Sequence, residues 1–210
     1  MSYSTHSEAG YNHSNEDSIE VRLHPKDSGI LLCVLADGQG GQAGGGPAAR
    51  LATSKCLELA GGYSVKALLK SEAWYEIFSG VDEAVNEDGE AGYTTLIGVC
   101  VSADHVCGAS CGDSAALIVR NRNFEVLTEG QRKNPPLGSG AAYPTAFTAK
   151  LDGDAQLLVM SDGVWRFVGF DAIAELSRSF RGHSLIFALR QLQLEQNRGI
   201  LPDDFSLIVV

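Results

Sequence analysis

The stretch Ile30-Leu31-Leu32-Cys33-Val34-Leu35-Ala36-Asp37-Gly38 decides how this chain is read. Residues 30–36 are apolar without interruption, as in a central strand covered on both faces. The run stops at a carboxylate followed by glycine. Asp-Gly is a common turn dipeptide. Here the glycine lets the backbone turn sharply at the strand end and leaves its carbonyl free to face a cation. Asp37 is therefore expected at the rim of a sheet, held rigidly.

Working outward, Ser18–Leu23 alternates apolar and polar residues and reads as a half-buried strand ahead of this one. After it comes the glycine-rich stretch Gly38–Gly46, which alone fits a flexible linker or a phosphate-cradling loop. It lacks the Lys-Ser/Thr ending of a nucleotide-binding P-loop. Pro47 opens a helix to about Ala60. A second helical region spans about Val65–Asn86, with a break expected near Ser79–Gly80. Tyr93–Val101, Val106–Ser110 and Ala115–Arg120 read as strands whose short connections imply antiparallel meander pairing. Residues 128–145, rich in Pro and Gly, read as a loop or mobile segment. Phe147–Leu151 and Gln156–Met160 resemble a hairpin. Helices follow at about Asp171–Phe180 and Ser184–Gln196, and Phe205–Val210 is a last apolar strand. Grouped strands with helices between the groups argue for an α+β fold, and no linker divides residues 1–210.

Of 210 residues, 44% are hydrophobic and 20% charged, the balance of a globular domain. The net charge of −10 disfavours nucleic acid as a partner. The N-terminus shows no signal-peptide pattern, and no apolar run approaches the ~20 residues that cross a bilayer, so no membrane is expected and the expected location is the cytosol. The five cysteines suit reduced, buried thiols. Their spacing does not make a zinc site. His6, His24, His105 and His183 read as solvated, and Trp74 and Trp165 as packing residues.

Several acidic turns sit at strand ends: Asn15-Glu16-Asp17, Asp37-Gly38, Gly112-Asp113-Ser114, Ser161-Asp162-Gly163 and Asp203-Asp204. Each alone is an ordinary turn. Carboxylates converging from several rims would make an oxygen-only cage suited to Mg²⁺ or Mn²⁺. In this order, with Ala36-Asp37-Gly38-x-Gly-Gly, Gly92-Tyr93-Thr94-Thr95 and Ser-Asp-Gly-x-Trp165, the motifs resemble the PPM (PP2C-like) phosphatases, in a compact bacterial form, from Asn15 to Val210.

That resemblance implies a four-layer α-β-β-α sandwich of two antiparallel sheets flanked by helices. It implies a protein Ser/Thr phosphatase in which two metal ions activate a water, without a phospho-enzyme. Asp37 would bridge the ions, Gly38 would lend its carbonyl, and Asp162 and Asp203 would complete the direct ligands. Glu16 and Asp17 would hold metal-bound waters. Asp113 resembles a ligand of a weaker third ion. Cys111 lacks the arginine-ended loop of a tyrosine-phosphatase nucleophile. The expected partner is a phosphoprotein substrate of a Ser/Thr kinase, and the expected state a monomer.

The chain departs from the family pattern at three points. Asn12 stands where an Arg often grips the substrate phosphate, with His13 or Arg22 as substitutes, so weak binding of small phosphoesters is expected. Arg166 replaces an Asp and should oppose the third ion. Residues 128–145 look like a trimmed flap beside the site. A phosphatase-like regulatory domain without turnover and a small-metabolite phosphatase are the competing readings.

Overall fold

Strand β3 (Asp27–Asp37) runs through the centre of one sheet, and its two faces go to two different cores. Leu31, Cys33 and Leu35 point into the space between two sheets. Leu32, Val34 and Ala36 point toward a helical layer. This is why the run carries no polar alternation: both faces of the pleat are covered.

The computed structural model describes residues 2–40, 44–121 and 123–210. The middle of the glycine-rich stretch, 41–43, read as linker or phosphate loop, lies outside the described residues. Strands β1 (Ser4–Glu8) and β2 (Asp17–His24) precede β3. Helices α1 (Gly45–Gly62), α2 (Val65–Leu68) and α3 (Ser71–Glu87) follow it. Then come β4 (Leu96–Val101), β5 (His105–Cys111), β6 (Ala115–Val119), β7 (Phe124–Val126), β8 (Thr145–Lys150) and β9 (Gln156–Met160). Helices α4 (Asp162–Val168), α5 (Phe170–Ser179) and α6 (Gly182–Gln196) precede β10 (Phe205–Val209).

The strands form two five-stranded antiparallel sheets, β2-β3-β4-β5-β8 and β1-β10-β9-β6-β7. Helices α1 and α3 cover the first through Cys56, Trp74 and Phe78. Helices α4 to α6 cover the second through Val164, Ile173, Leu185 and Leu189. The expected four-layer α+β sandwich is what the chain forms.

Details differ from the sequence expectation. The connection at Gly112–Ser114 does not close a hairpin; it carries the chain from one sheet to the other, so β5 pairs with β8 and β6 with β9. For the same reason β8 and β9 are not partners. The helical region breaks at Leu69–Lys70, where α2 ends, and α3 continues through Gly80. Three short elements, β1, β7 and α4, were not expected. His24 is buried rather than solvated: its Nε2 lies 3.1 Å from the Tyr63 carbonyl and its Nδ1 accepts from the Lys26 amide. All five cysteines are free and buried, as expected.

Candidate active site

The acidic turns meet at one end of the sandwich. Asp17 opens β2 directly opposite Asp37 at the end of β3. Asp162 follows β9, Asp113 follows β5, and Asp203 precedes β10. Asp37, Gly38, Glu16, Asp113, Asp162 and Asp203 line a single cleft of about 820 Å³, with Asp17 buried beneath it.

The backbone of Asp37 is fixed from both sides. Its amide donates to Thr95 Oγ1 at 3.0 Å, and its carbonyl accepts from the Thr95 amide at 2.8 Å and from Thr94 Oγ1 at 2.9 Å. Thr95 Oγ1 is itself held by Ser114 Oγ at 2.7 Å. The Gly-Tyr-Thr-Thr and Gly-Asp-Ser motifs thus buttress the carboxylate from behind. Gly38 is required by space: a Cβ there would stand 2.4 Å from the Gly45 carbonyl and 2.8 Å from that of Glu16.

Acid groups crowd the interior of the cleft. Burial, reinforced by the charges of Asp17, Asp162, Asp113 and Asp203, pushes the Asp37 carboxyl up to about 9. Burial pushes Asp17 up to about 7, with Asp204 and Asp203 adding to it. Among the described residues neither Asp17 oxygen has a hydrogen-bond partner. The hydroxyls of Ser161 and Ser206 lie nearby and temper that rise, but they donate instead to the Asp204 carbonyl and to Ser7 Oγ. Asp162 is raised by burial and by Asp113, against the pull of Arg166.

The outer carboxylates differ. Arg166 Nη1 pairs with Asp162 Oδ2 at 2.9 Å, one helical turn along α4. Lys133 Nζ pairs with Asp113 Oδ2. Trp165, stacked on Phe170, donates its indole N–H to the Asp113 carbonyl at 2.9 Å. It is packing that also places a site residue.

The choice between Asp203 and Asp204 follows from hydrogen bonds. Asp204 is buried, and its two oxygens accept from the Gly10 amide at 2.8 Å and the Glu16 amide at 2.7 Å. It clamps the segment that carries Glu16 and Asp17. Among the described residues Asp203 accepts only the Asp204 amide, at 3.0 Å, and it lines the cleft.

Not every expected residue arrives. Arg22 lies five residues along β2 from Asp17, roughly 16 Å at 3.3 Å per residue. It is exposed and pairs with Glu20. Asn12 adopts a left-handed backbone (φ 66°) with an exposed side chain and does not line the cleft. His13 does line it, with Nδ1 3.4 Å from Asp204 Oδ1. Lys133 was missed. Its only sequence signal was a basic pair, Arg132-Lys133, inside the segment read as a flap remnant.

A family model described as Protein phosphatase 2C matches residues 6–193. The chain belongs to the protein phosphatase 2C family. No curated protein matches it in sequence. Among solved structures, a bacterial serine phosphatase carrying a single arginine-to-alanine mutation superposes with a TM-score of 0.87 at 22% identity, over 100% of this chain and 97% of that one. Serine/threonine phosphatase Stp1 from Staphylococcus aureus gives 0.83 at 21% identity, over 99% and 93%. The catalytic domain of phosphatase PstP, solved with two manganese ions, gives 0.80 at 23%, over 99% and 96%. At these identities the likeness establishes the phosphatase 2C fold. Asp203 lies beyond the region matched by the family model, but within what those structures superpose.

Proposed function

We propose that this phosphatase 2C family member hydrolyses phosphoserine and phosphothreonine in proteins, using a pair of Mn²⁺ or Mg²⁺ ions. The observation that carries the reading is the interior of the cleft, where Asp17 and Asp37 crowd against other carboxylates and, among the described residues, neither oxygen of Asp17 is paired with a donor. Such a cluster suits hard cations, which take oxygen ligands and offset the mutual repulsion. Among the described residues no three Asp, Glu, His or Cys side chains gather closely enough to hold one ion as they stand. Filling the centre therefore needs water in the coordination shell or inward rotation of side chains.

Asp37, the Gly38 carbonyl, Asp162 and Asp203 would hold the ions. When bound, they supply positive charge against phosphoryl oxygens and make water a stronger acid. Glu16 and Asp17 would accept hydrogen bonds from water and so orient it. Thr94, Thr95 and Asp204 keep the ligand-bearing backbone in place, which is the positioning that such chemistry demands. The Cys111 thiol, pushed up to about 11 by burial, is no nucleophile at neutral pH.

Two further points support the reading. Structures of the same fold are named serine/threonine phosphatases, one of them holding two manganese ions. Five buried free thiols suit a reducing compartment, where a Ser/Thr kinase would supply phosphoprotein substrate. Phosphate release from a phosphothreonine peptide by the metal-stripped protein, with and without Mn²⁺, is the test. Mn²⁺-dependent release that Asp37→Asn abolishes is expected. A wild-type protein that stays inert with Mn²⁺ while binding the peptide would instead identify a regulatory module.

A further inference from the structure

Residues 128–145 contribute more than a border to the cleft. The segment is irregular, as its composition suggests, but it is tied down along its length. The Gly112 amide donates to the Arg132 carbonyl at 3.1 Å, Gln131 Nε2 to the Ser114 carbonyl at 2.6 Å, and the Thr94 amide to the Leu137 carbonyl at 3.1 Å. Leu137 is fully buried. Buried Asp82, on α3, accepts from the amides of Gly138, Gly140 and Ala142 at 2.6, 3.3 and 3.0 Å. Lys133 is thus carried on a fixed strap whose neighbours are bonded to the residues flanking Asp113. Its ammonium reaches the Asp113 carboxylate within the cleft.

We infer that Lys133 is a resident cation at Asp113: its ammonium takes the place that a further divalent ion would occupy, and confines metal binding to the inner carboxylates around Asp37. The inference rests on the metal-binding reading above. An exposed ion pair is usually worth little, since two flexible side chains must be ordered to form it. Here the strap has already ordered the lysine backbone. A site offering few carboxylates binds a divalent ion weakly, at roughly 0.1–1 mM, so a cation held beside Asp113 suffices to disfavour it. At the inner cluster several carboxylates act together, and among the described residues the one side-chain cation paired with a proposed ligand there is Arg166 on Asp162. The charge pattern agrees: Asp162 feels both Arg166 and Lys133, whereas the leading charges acting on Asp37 are those of Asp17, Asp162, Asp113 and Asp203.

The test is a Mn²⁺ titration followed by the paramagnetic signal of free Mn²⁺. It compares metal-stripped wild type with Lys133→Met, Lys133→Arg and the Lys133→Met/Asp113→Asn double variant, with thermal melts to confirm folding. Wild type and Lys133→Arg should bind the same number of ions. Lys133→Met should take up one more, at an affinity improved about tenfold, and the double variant should lose it. An unchanged isotherm for Lys133→Met overturns the inference. So does a wild-type ion that Asp113→Asn alone removes. A wild type that binds no Mn²⁺ overturns the metal-binding reading itself.

Discussion

Neutralising the central carboxylate should make the metal-free protein more stable, not less. The Asp37 carboxyl ordinarily titrates at 3.8 and is pushed up to about 9 in the folded chain. Between those values the folded state holds a proton that the unfolded state has released. Unfolding then releases a proton, so stability falls as pH rises, by about 1.4 kcal/mol per pH unit. At about pH 7.5 the interval is 7.5 − 3.8 = 3.7 units, a ceiling of about 5 kcal/mol. Water entering the open cleft screens part of this, so roughly 2–3 kcal/mol is the expected penalty. Asp37→Asn carries no such charge. Without divalent ions it should melt roughly 5–10 °C above wild type near pH 7.5, at 2–4 °C per kcal/mol for a chain of this size. The gain should fall below about 1 kcal/mol near pH 4 and vanish below about pH 3, where wild type is protonated in both states. Added Mn²⁺ should raise the melting temperature of wild type and leave the variant nearly unmoved. Calorimetry of the metal-stripped protein in EDTA from about pH 3 to 8.5 measures all of this. A variant that melts at or below wild type at pH 7.5 would refute the idea that repulsion among these carboxylates is stored in the fold.

Other expectations follow from single contacts. Asp204→Ala strands the buried Gly10 amide and the part-buried Glu16 amide, and should cost about 2–4 kcal/mol in denaturant unfolding while abolishing hydrolysis; Asp204→Asn keeps one acceptor but turns an NH2 donor toward the other amide, so it should recover only part of the stability and little of the hydrolysis. Asp82→Ala frees three strap amides, so hydrogen exchange at 138–142 should accelerate at least tenfold with little change in the sheets. Gly38→Ala forces a methyl against the Gly45 carbonyl and should eliminate Mn²⁺-dependent turnover. Arg22→Ala, far along β2, should leave kcat/KM within about twofold; a larger loss would mean that the phosphate is gripped from that strand after all.

The central strand and the acidic rims were legible because both are local signals. An unbroken apolar run calls for cover on two sides, and an Asp at its end falls at the rim where the strands stop. What could not be read depended on distant partners. Ser4–Glu8 is a polar segment with no strand signature of its own, and becomes β1 only by pairing with β10. A short connection serves equally for a hairpin and for a step between sheets, which is why β8 and β9 looked like partners. The two adjacent carboxylates of Asp203-Asp204 are indistinguishable until amides from the other end of the chain claim one of them. Lys133 is one basic residue in a polar loop until a strap pinned by Asp82 delivers it to Asp113.

The clamp made by Asp204 has a bearing on how the protein comes into being. It joins residues 188 and 194 positions apart in the chain. The strand that follows it is the neighbour of β1. Asp17 reaches Asp37 through the local pairing of β2 with β3, but a ribosome must deliver the stretch beyond residue 200 before Asp204 can clamp the Glu16 amide and Asp203 can join the rim. Until then a nascent polypeptide carries only part of its acid cluster. Such long-range closure is slow compared with local pairing, so competence should arise as one late event, once β10 has emerged and paired.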